Sequence, residues 1–316
     1  MQKIISNDGL TTKYIHKDQS ETSFKMSHSG KFNSENLITP ITQDKEKYSL
    51  VISCSKGCQM KCTFCHLTQK GSTFEELTTE QVEQNLKDVI ADQYEKHPEI
   101  GKKHIKFCWM GMGEAILKPE MIKTVSINVI DWALNNGYAS GVDGIDVSTV
   151  LPKISNRWQK TIKELVEDTK DYPRNPNNTV DRSLVRIFYS LHSANQEQRD
   201  ELIPNTKNIE VAIDSLTNFV EETGIDIVYH YMFMNGVNDN AKSVKELISL
   251  YKDKNLSDSE LRILRYNEAT NGVTESYDLK DIVSLLEQEI PKLKVQHSSG
   301  NKVASACGMF VVPEAS

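Results

Sequence analysis

Residues 48–65 read YSLVISCSKGCQMKCTFC, an apolar run that leads directly into a loop with closely spaced cysteines. The apolar part, at 49–54, has the length and composition of a buried strand. Cys58, Cys62 and Cys65 follow with the spacing Cys-x3-Cys-x2-Cys. Reactive groups placed just after a buried strand are typical of parallel α/β sheets, so this stretch indicates both the fold class and the place of the site.

Three thiolates on one short loop can hold three irons of a four-iron, four-sulfur cluster and leave the fourth iron open. The amino and carboxylate groups of S-adenosylmethionine (SAM) fit an open iron, which predicts a radical enzyme rather than an electron carrier. Cys54 precedes the three and gives a structural alternative. With Cys54 included, four thiolates can close around zinc or a cluster in a non-catalytic metal-binding protein.

The composition is that of an ordinary globular protein, with 316 residues, 38% hydrophobic and 26% charged. No apolar run approaches membrane-spanning length, and the N-terminus lacks the apolar core of a secretory signal. We therefore expect a cytoplasmic protein whose reduced cysteines bind metal or act in catalysis. The net charge of −7 argues against a surface coated with positive charge for nucleic acid, although it leaves room for a local basic groove.

Strand and helix patterns alternate from the cysteine loop almost to the C-terminus. Apolar runs typical of buried strands lie at 49–54, 104–110, 144–150, 184–191, 226–233 and 261–266. Because a helical pattern or a long connection follows each run, the six strands predict a parallel sheet in a closed or partial barrel. Residues 1–46, rich in polar residues, are expected to form a short, irregular N-terminal arm or subdomain, and 47–316 the main domain.

Small and polar residues follow several of these strands. Gly113 and Glu114 come after the second strand, where a glycine lets the backbone approach a ligand and a carboxylate can accept hydrogen bonds from an ammonium group. Ser148 ends the third strand and can bond ribose hydroxyls or a carboxylate. Three further residues are expected to bring a polar group to the same edge of the sheet: Ser190 and His192 after the fourth strand, and Asn267 after the sixth. Each alone is also common as a plain turn, hydroxyl or structural histidine.

Cys307 lies near the C-terminus between small residues, in Ser-Ala-Cys-Gly. A thiol in such surroundings is accessible to a bulky reactant, as a nucleophile must be. Its structural alternative is a small buried apolar residue. Cys108, inside the second apolar run, we assign to that buried role.

Taken together, the stretches GCQMKCTFC, WMGMGEAIL, DVSTVLPKI, YSLHSANQEQRDELIP, MFMNGVND and ASACGM resemble the RlmN/Cfr family of radical SAM RNA methyltransferases. The resemblance implies a partial (β/α)6 TIM-like barrel of the radical SAM type, with a C-terminal extension that carries Cys307. It implies a [4Fe-4S] cluster on Cys58, Cys62 and Cys65. Around SAM it places Gly113, Glu114, Ser148, Ser190, Leu191, His192 and Asn267.

The resemblance further implies an enzyme that methylates carbon 2 or carbon 8 of an adenosine in rRNA or tRNA, with an electron donor such as flavodoxin or ferredoxin. Cys307 corresponds to the family's methyl-carrying cysteine. One SAM methylates its thiolate, and a second SAM is cleaved to a radical that takes a hydrogen from the S-methyl group. The carbon radical adds to adenine, and a second cysteine removes a proton and forms a disulfide that releases the base.

The chain departs from the family at this second cysteine. The family residue precedes the first cluster cysteine by seven positions, which is Val51 here. Cys54 is the candidate replacement, although three residues of strand separate the two positions by roughly 10 Å. The region before Cys58 is short for the family, and residues 167–181 form a polar insertion. These departures keep open a radical SAM enzyme with a different, non-RNA substrate.

RNA binding also requires cations that contact phosphate. The sequence offers as candidates Lys61, Lys102, Lys103, Arg157, Arg182, Arg262 and Arg265. Most lysine and arginine residues simply lie on the solvated surface of a protein. Their positions in the fold are therefore needed to tell phosphate contacts from ordinary surface residues.

Overall fold

The computed structural model describes residues 1–28, 31–32, 42–155, 157–176, 183–267, 272–296 and 303. The strands in these ranges are β1 (Gln2–Ile5), β2 (Thr11–Ile15), β3 (Glu21–Lys25), β4 (Ser27–His28), β5 (Lys31–Phe32), β6 (Thr42–Gln43), β7 (Lys47–Ile52), β8 (Ser55–Lys56), β9 (Glu75–Glu76), β10 (His104–Trp109), β11 (Gly141–Thr149), β12 (Val185–Ser190), β13 (Asp226–Tyr231), β14 (Glu260–Leu264) and β15 (Leu293–Gln296).

The α-helices in the same ranges alternate with the longer strands. They are α1 (His66–Gln69), α2 (Thr79–Lys96), α3 (Pro119–Asn135), α4 (Trp158–Asp168), α5 (Gln196–Leu202), α6 (Ile209–Thr223), α7 (Ala241–Asp253) and α8 (Leu279–Glu289). Two short 3-10 helices cover Pro98–Lys102 and Ala115–Leu117. None of the helices in the described ranges is long and apolar enough to cross a membrane.

Capping residues mark the ends of two of the helices. Thr78 caps α2 and forms a reciprocal capping box with Gln81. The side chain of Asn208 accepts a hydrogen bond from the Glu210 N–H at the start of α6, and Gly224, with φ +67°, ends that helix. Local chemistry therefore fixes where these helices begin and where α6 ends.

The main sheet has the strand order β1-β2-β3-β7-β10-β11-β12-β13-β14-β15-β5. The seven central strands of this sheet run parallel to one another, and most of the helices lie between them along the chain. These strands are β7, β10, β11, β12, β13, β14 and β15. This confirms the partial barrel and its six strands. It adds β15 as a seventh parallel strand, which the sequence did not indicate because four residues with only one buried position give no apolar run.

Residues 2–25 are regular rather than irregular. They form three antiparallel strands, and β3 pairs with β7, so the N-terminal region extends the barrel's own sheet. Lys13 and Glu21 form an ion pair of 2.8 Å with both side chains fully buried. Burial raises the pKa of Glu21 to about 7 against the opposing effect of Lys13. Buried polar residues of this kind explain why the composition of this region suggested an irregular arm or subdomain.

The strands alternate between the helix-facing core and the barrel interior. In β10, Phe107 and Trp109 pack in the main apolar core, whereas Lys106 forms an ion pair with Asp146 at 2.7 Å. Arg186 bonds the same carboxylate at 2.7 Å. Burial alone would raise the pKa of Asp146, but Arg186 and Lys106 hold it at about 2. This ion-paired trio fills the middle of the barrel, two residues below Ser148, and leaves open space at the carboxyl edge.

Candidate active site

A cavity lies at the carboxyl edge of the parallel strands, where the predicted site residues were expected. Its walls are residues that follow β7, β10, β11, β12 and β14. Nine of the predicted site residues line it: Cys58, Cys62, Cys65, Gly113, Glu114, Ser148, Ser190, His192 and Asn267. Leu191 is fully buried in the main core and is not among the lining residues, and Cys307 lies outside the described residues.

The cysteine loop is shaped by its backbone. Gly57 has φ +64°, and a Cβ there would lie 2.3 Å from the Thr73 carbonyl oxygen, so only glycine fits. Cys65 ends the loop at the N-cap of α1. Burial raises the pKa of Cys58 to about 12 and that of Cys62 well above its ordinary value, the second with a contribution from the neighbouring thiols. Iron that displaces these protons would relieve the cost of burying thiolates.

The loop offers its three thiols to one cavity. Within the described ranges, no three His, Cys, Asp or Glu side chains converge closely enough to hold a single metal ion. A single zinc requires all its sulfur ligands at about 2.3 Å from one centre. A four-iron cluster binds each thiolate at a different iron. Three thiols around one cavity can therefore supply one ligand to each of three irons.

Cys54 does not reach this cavity. It is 3% exposed and packs in the main apolar core, with its Sγ 3.6 Å from the Met112 carbonyl oxygen. Gly113, with φ +94°, lies against it, and a Cβ there would be 2.5 Å from the Cys54 Sγ. The turn that carries Glu114 thus rests on Cys54, whose thiol lies behind Gly113 and is not among the residues that line the cavity.

Cys108 occupies the position next to Val51. The register of β7 and β10 pairs these two residues across neighbouring parallel strands. Both are 9% exposed and share a small apolar cluster with Leu67 and Met112. Cys58, Cys65 and Met110, which line the cavity, pack against this cluster. The thiol that the sequence assigned to a buried role is indeed buried, and it belongs to a cluster that packs against two of the three cysteines of the loop.

Glu114 brings a carboxylate with free capacity to the cavity. Its Oε2 accepts a hydrogen bond of 3.2 Å from the Val150 N–H, and its Oε1 has no hydrogen-bond partner among the described residues. Burial raises the pKa of the carboxyl to about 7, although hydrogen bonds from Thr149 and from the Val150 and Ile116 N–H groups favour the charged form. A buried, partly unsatisfied carboxylate is suited to an ammonium ligand.

His192 closes another side of the cavity in a strained conformation. Its φ is +52°, and its ring meets Phe64 of the cysteine loop edge to face at 5.1 Å. Burial lowers the pKa of His192 to about 3, so the imidazole is neutral. The Asn238 side chain holds the turn by donating to the carbonyl oxygens of His192 and Met232, each at 2.8 Å.

Arg199 joins the ends of two strands beneath the cavity. Its guanidinium is fully buried and donates to the carbonyl oxygens of Ser190 at 2.8 Å, of Val150 at 3.1 Å and of Leu191. Arg199 and Asn238 are positioning residues that the sequence reasoning missed. The signal was present, because both lie in stretches quoted for the resemblance, RDELIP and MNGVND, but their carbonyl partners come from separate loops.

Comparison with known proteins agrees with this geometry. The model of the Radical SAM superfamily matches residues 52–248. A "Probable dual-specificity RNA methyltransferase RlmN" of Dictyoglomus turgidum is 26% identical over 97% of this chain and 77% of its own. The dual-specificity RNA methyltransferase RlmN of Sulfurimonas denitrificans is 26% identical over 98% of this chain and 80% of its own.

A solved structure supports the fold. The crystal structure of a radical SAM methyltransferase from Sphaerobacter thermophilus aligns with a TM-score of 0.67 and 20% identity, over 98% of this chain and 80% of that one. Family membership implies a [4Fe-4S] cluster and SAM as cofactors, and the three thiols and Glu114 fit them. The chain belongs to the radical SAM superfamily.

Proposed function

We propose that the protein methylates an adenosine base in RNA, at carbon 2 or carbon 8, through an S-methylcysteine intermediate. The observation that carries the proposal is the convergence of nine motif residues on one cavity of a chain similar over almost its whole length to RlmN proteins. The substrate class comes from those relatives, whose names describe RNA methyltransferases. An electron donor such as flavodoxin or ferredoxin is part of the same proposal.

Different residues of the cavity bind the cluster, bind SAM and exclude solvent. Cys58, Cys62 and Cys65 hold the cluster, which when bound supplies the electron that cleaves SAM. Glu114 accepts hydrogen bonds from the N–H groups of the SAM amino group, whose lone pair is kept for the open iron. Apolar side chains among the lining residues shield a carbon radical from solvent and from the dissolved reductants that would quench it: Met60, Phe64, Leu67 and Met232. Neutral His192 adds shape without adding charge.

Cys307 carries the methyl group in this proposal. Val303, four positions earlier in the chain, is 7% exposed and thus packs against the protein. A thioether on Cys307 supplies a methyl group from which a radical can remove hydrogen. The carbon then bonds to the electron-poor adenine carbon, which an ordinary methyl donor cannot modify because the base would have to act as the nucleophile.

Release of the base requires a second thiol, and we infer that Cys108 supplies it rather than Cys54. The radical adduct has to lose one electron, which the oxidised cluster would accept, and the proton of the attacked ring carbon, which leaves to solvent. In the closed-shell adduct that results, Cys307 is linked through sulfur and a methylene carbon to the base. Cys108 sulfur attacks Cys307 sulfur, so that a disulfide forms and the sulfur–carbon bond breaks. The electron pair of that bond goes to the methylene carbon, and the proton of the Cys108 thiol completes the methyl group. A dithiol reductant then restores both cysteines.

Position favours Cys108 for this step. Its small apolar cluster packs against Cys58 and Cys65, whereas Cys54 packs in the main core. Burial raises the pKa of Cys108 to about 11 and that of Cys54 to about 12, so either thiol has to give up its proton as it attacks sulfur. With Cys108 in this role, valine at position 51 no longer favours a different substrate.

Methylation of Cys307 tests the proposal before any RNA is identified. Reconstituted, reduced enzyme incubated with SAM without oxygen should gain one methyl group on the peptide that contains Cys307, measured by mass spectrometry. The Cys307→Ala variant should gain none, and Cys54→Ala should still be methylated. An unmodified Cys307 in protein with a full cluster would contradict the proposed reaction.

Cys108→Ala should trap the covalent intermediate. We expect a protein–RNA adduct that survives denaturation and accumulates with SAM, while methylated RNA falls at least tenfold because the sulfur–carbon bond cannot break. Cys54→Ala is the matched control, since it removes a thiol outside the cavity, and it should turn over without an adduct. The reverse pattern, an adduct with Cys54→Ala and turnover with Cys108→Ala, would assign the step to Cys54.

The raised pKa of Glu114 predicts that SAM binding depends on pH. The N–H groups of the bound ligand favour the carboxylate form, so a proton on Glu114 competes with the ligand. Affinity of the cluster-loaded protein for SAM should fall as the pH drops below about 7, approaching tenfold per unit. Glu114→Gln should bind weakly and lose this component of the pH dependence, whereas the exposed control Glu76→Gln should keep it. Equal SAM dissociation constants for the wild type between about pH 6 and 8 would refute this role.

A further inference from the structure

Three loops at the carboxyl edge lie side by side next to the cavity, and we call their described residues the basic rim: 59–64, 151–155 with Arg157, and 203–208. The Thr63 N–H donates to the Leu202 carbonyl oxygen at 2.9 Å, which attaches the cysteine loop to the end of α5. The Lys153 N–H donates to the Asn205 carbonyl oxygen, and the Lys207 N–H to that of Leu151, each at 2.9 Å. These bonds join the loops into one surface.

The described residues of the basic rim carry positive charge and no negative charge. Its described residues include four cations, Lys61, Lys153, Arg157 and Lys207, and no carboxylate. The first three are exposed, and the Lys207 ammonium donates to the Ser155 carbonyl oxygen at 3.1 Å. No ion pair among the described residues includes any of the four. In a chain of net charge −7, this is a local concentration of unpaired cations.

The basic rim is held in a defined conformation. Lys61, Leu151 and Asn205 have positive φ values of 55°, 52° and 65°, which cost non-glycine residues about 1–2 kcal/mol each. Such conformations persist only where surrounding bonds and packing fix them. Below the loops, Met60, Val150, Leu202 and Ile203 belong to one buried apolar cluster. A rigid display of cations lowers the entropy lost when a polyanion binds.

The basic rim borders the mouth of the cavity. Lys61 lies between Met60 and Cys62, and both of those residues line the cavity. Val150, also a lining residue, is three positions before Lys153. A ligand that places one end in the cavity would therefore pass over these cations.

The other candidate cations do not share this position. Lys102 and Lys103 directly precede β10 and so lie at the opposite, amino edge of the strands. Arg262 is in β14 and donates to Glu260 at 2.7 Å, and Arg265 donates to Glu275 at 2.6 Å. Arg182 lies outside the described residues. Lys61 and Arg157 alone among the earlier candidates lie in the basic rim.

We propose that the basic rim binds the phosphates of the strand that flanks the nucleotide inserted into the cavity. The proposal rests on the proposed function for its substrate class, RNA. A base reaches the cavity only when it is unstacked, which leaves its neighbouring phosphates at the mouth. Lysine and arginine that neutralise phosphates release counterions, so binding through the basic rim is strongly dependent on salt.

The test compares two triple variants of the cluster-loaded protein. Lys153→Gln, Arg157→Gln and Lys207→Gln together remove charge from the basic rim. Lys102→Gln, Lys245→Gln and Lys280→Gln remove the same charge from exposed lysines elsewhere. The readout is the dissociation constant for a short single-stranded, adenosine-containing RNA, measured by fluorescence anisotropy at several KCl concentrations.

The rim variant should bind at least tenfold more weakly than the wild type, and its slope of log K against log salt should be smaller by about 2, since three single-strand phosphate contacts contribute about 0.7 each. The control variant should keep the wild-type slope. Equal slopes for all three proteins, or an equal loss in both variants, would overturn the proposal. Methylation of Cys307 in the wild type needs no RNA, so it reports separately on the proposed function.

Discussion

The site depends on the separation of Cys54 from the three thiols that follow it in the chain. Cys58, Cys62 and Cys65 line one cavity, while the Cys54 sulfur is enclosed in the outer core under Gly113. Four thiolates would complete a cluster and close it to ligands, whereas three leave an iron free. The close approach of a glycine turn to a cysteine sulfur is therefore what keeps the loop available for chemistry.

Parallel strands turn this loop into an enzyme site. Their carboxyl ends bring Glu114, Ser148, Ser190 and Asn267 to the same edge, although long stretches of sequence separate them. Charged side chains fill the barrel below: Asp146 is bonded by both Lys106 and Arg186. Not every buried polar atom at this edge has a hydrogen-bond partner among the described residues, and Glu114 Oε1 is an example. A buried acceptor without a partner is expected where a bound ligand donates the missing hydrogen bond.

Much of this organisation could be predicted from the sequence because it depends on local patterns. Apolar runs gave the six core strands, and Asn208 and Gly224 gave the ends of a helix. The N-terminal strands could not be found this way, because a paired Lys13 and Glu21 in the interior look like surface residues in a sequence. Leu191 follows the motif, and its side chain is fully buried in the core between two residues that line the cavity, Ser190 and His192.

The roles of Cys54 and Cys108 show a second kind of limit. In the sequence Cys54 is three residues from Val51, and Cys108 belongs to a different strand. In the folded protein Cys108 is nevertheless the direct neighbour of Val51, because the register of β7 and β10 pairs the two residues. The basic rim has the same origin, since Lys153 and Lys207 become neighbours only through hydrogen bonds between two loops. Contacts set by tertiary pairing have no counterpart in local sequence patterns.

The open iron is tested most directly by electron paramagnetic resonance of the reduced, oxygen-free protein with and without SAM. Binding of the SAM amino and carboxylate groups to one iron changes its ligand field, so the account predicts a clear change in the g values of the cluster signal. A spectrum of the reduced cluster that stays the same at saturating SAM would contradict it.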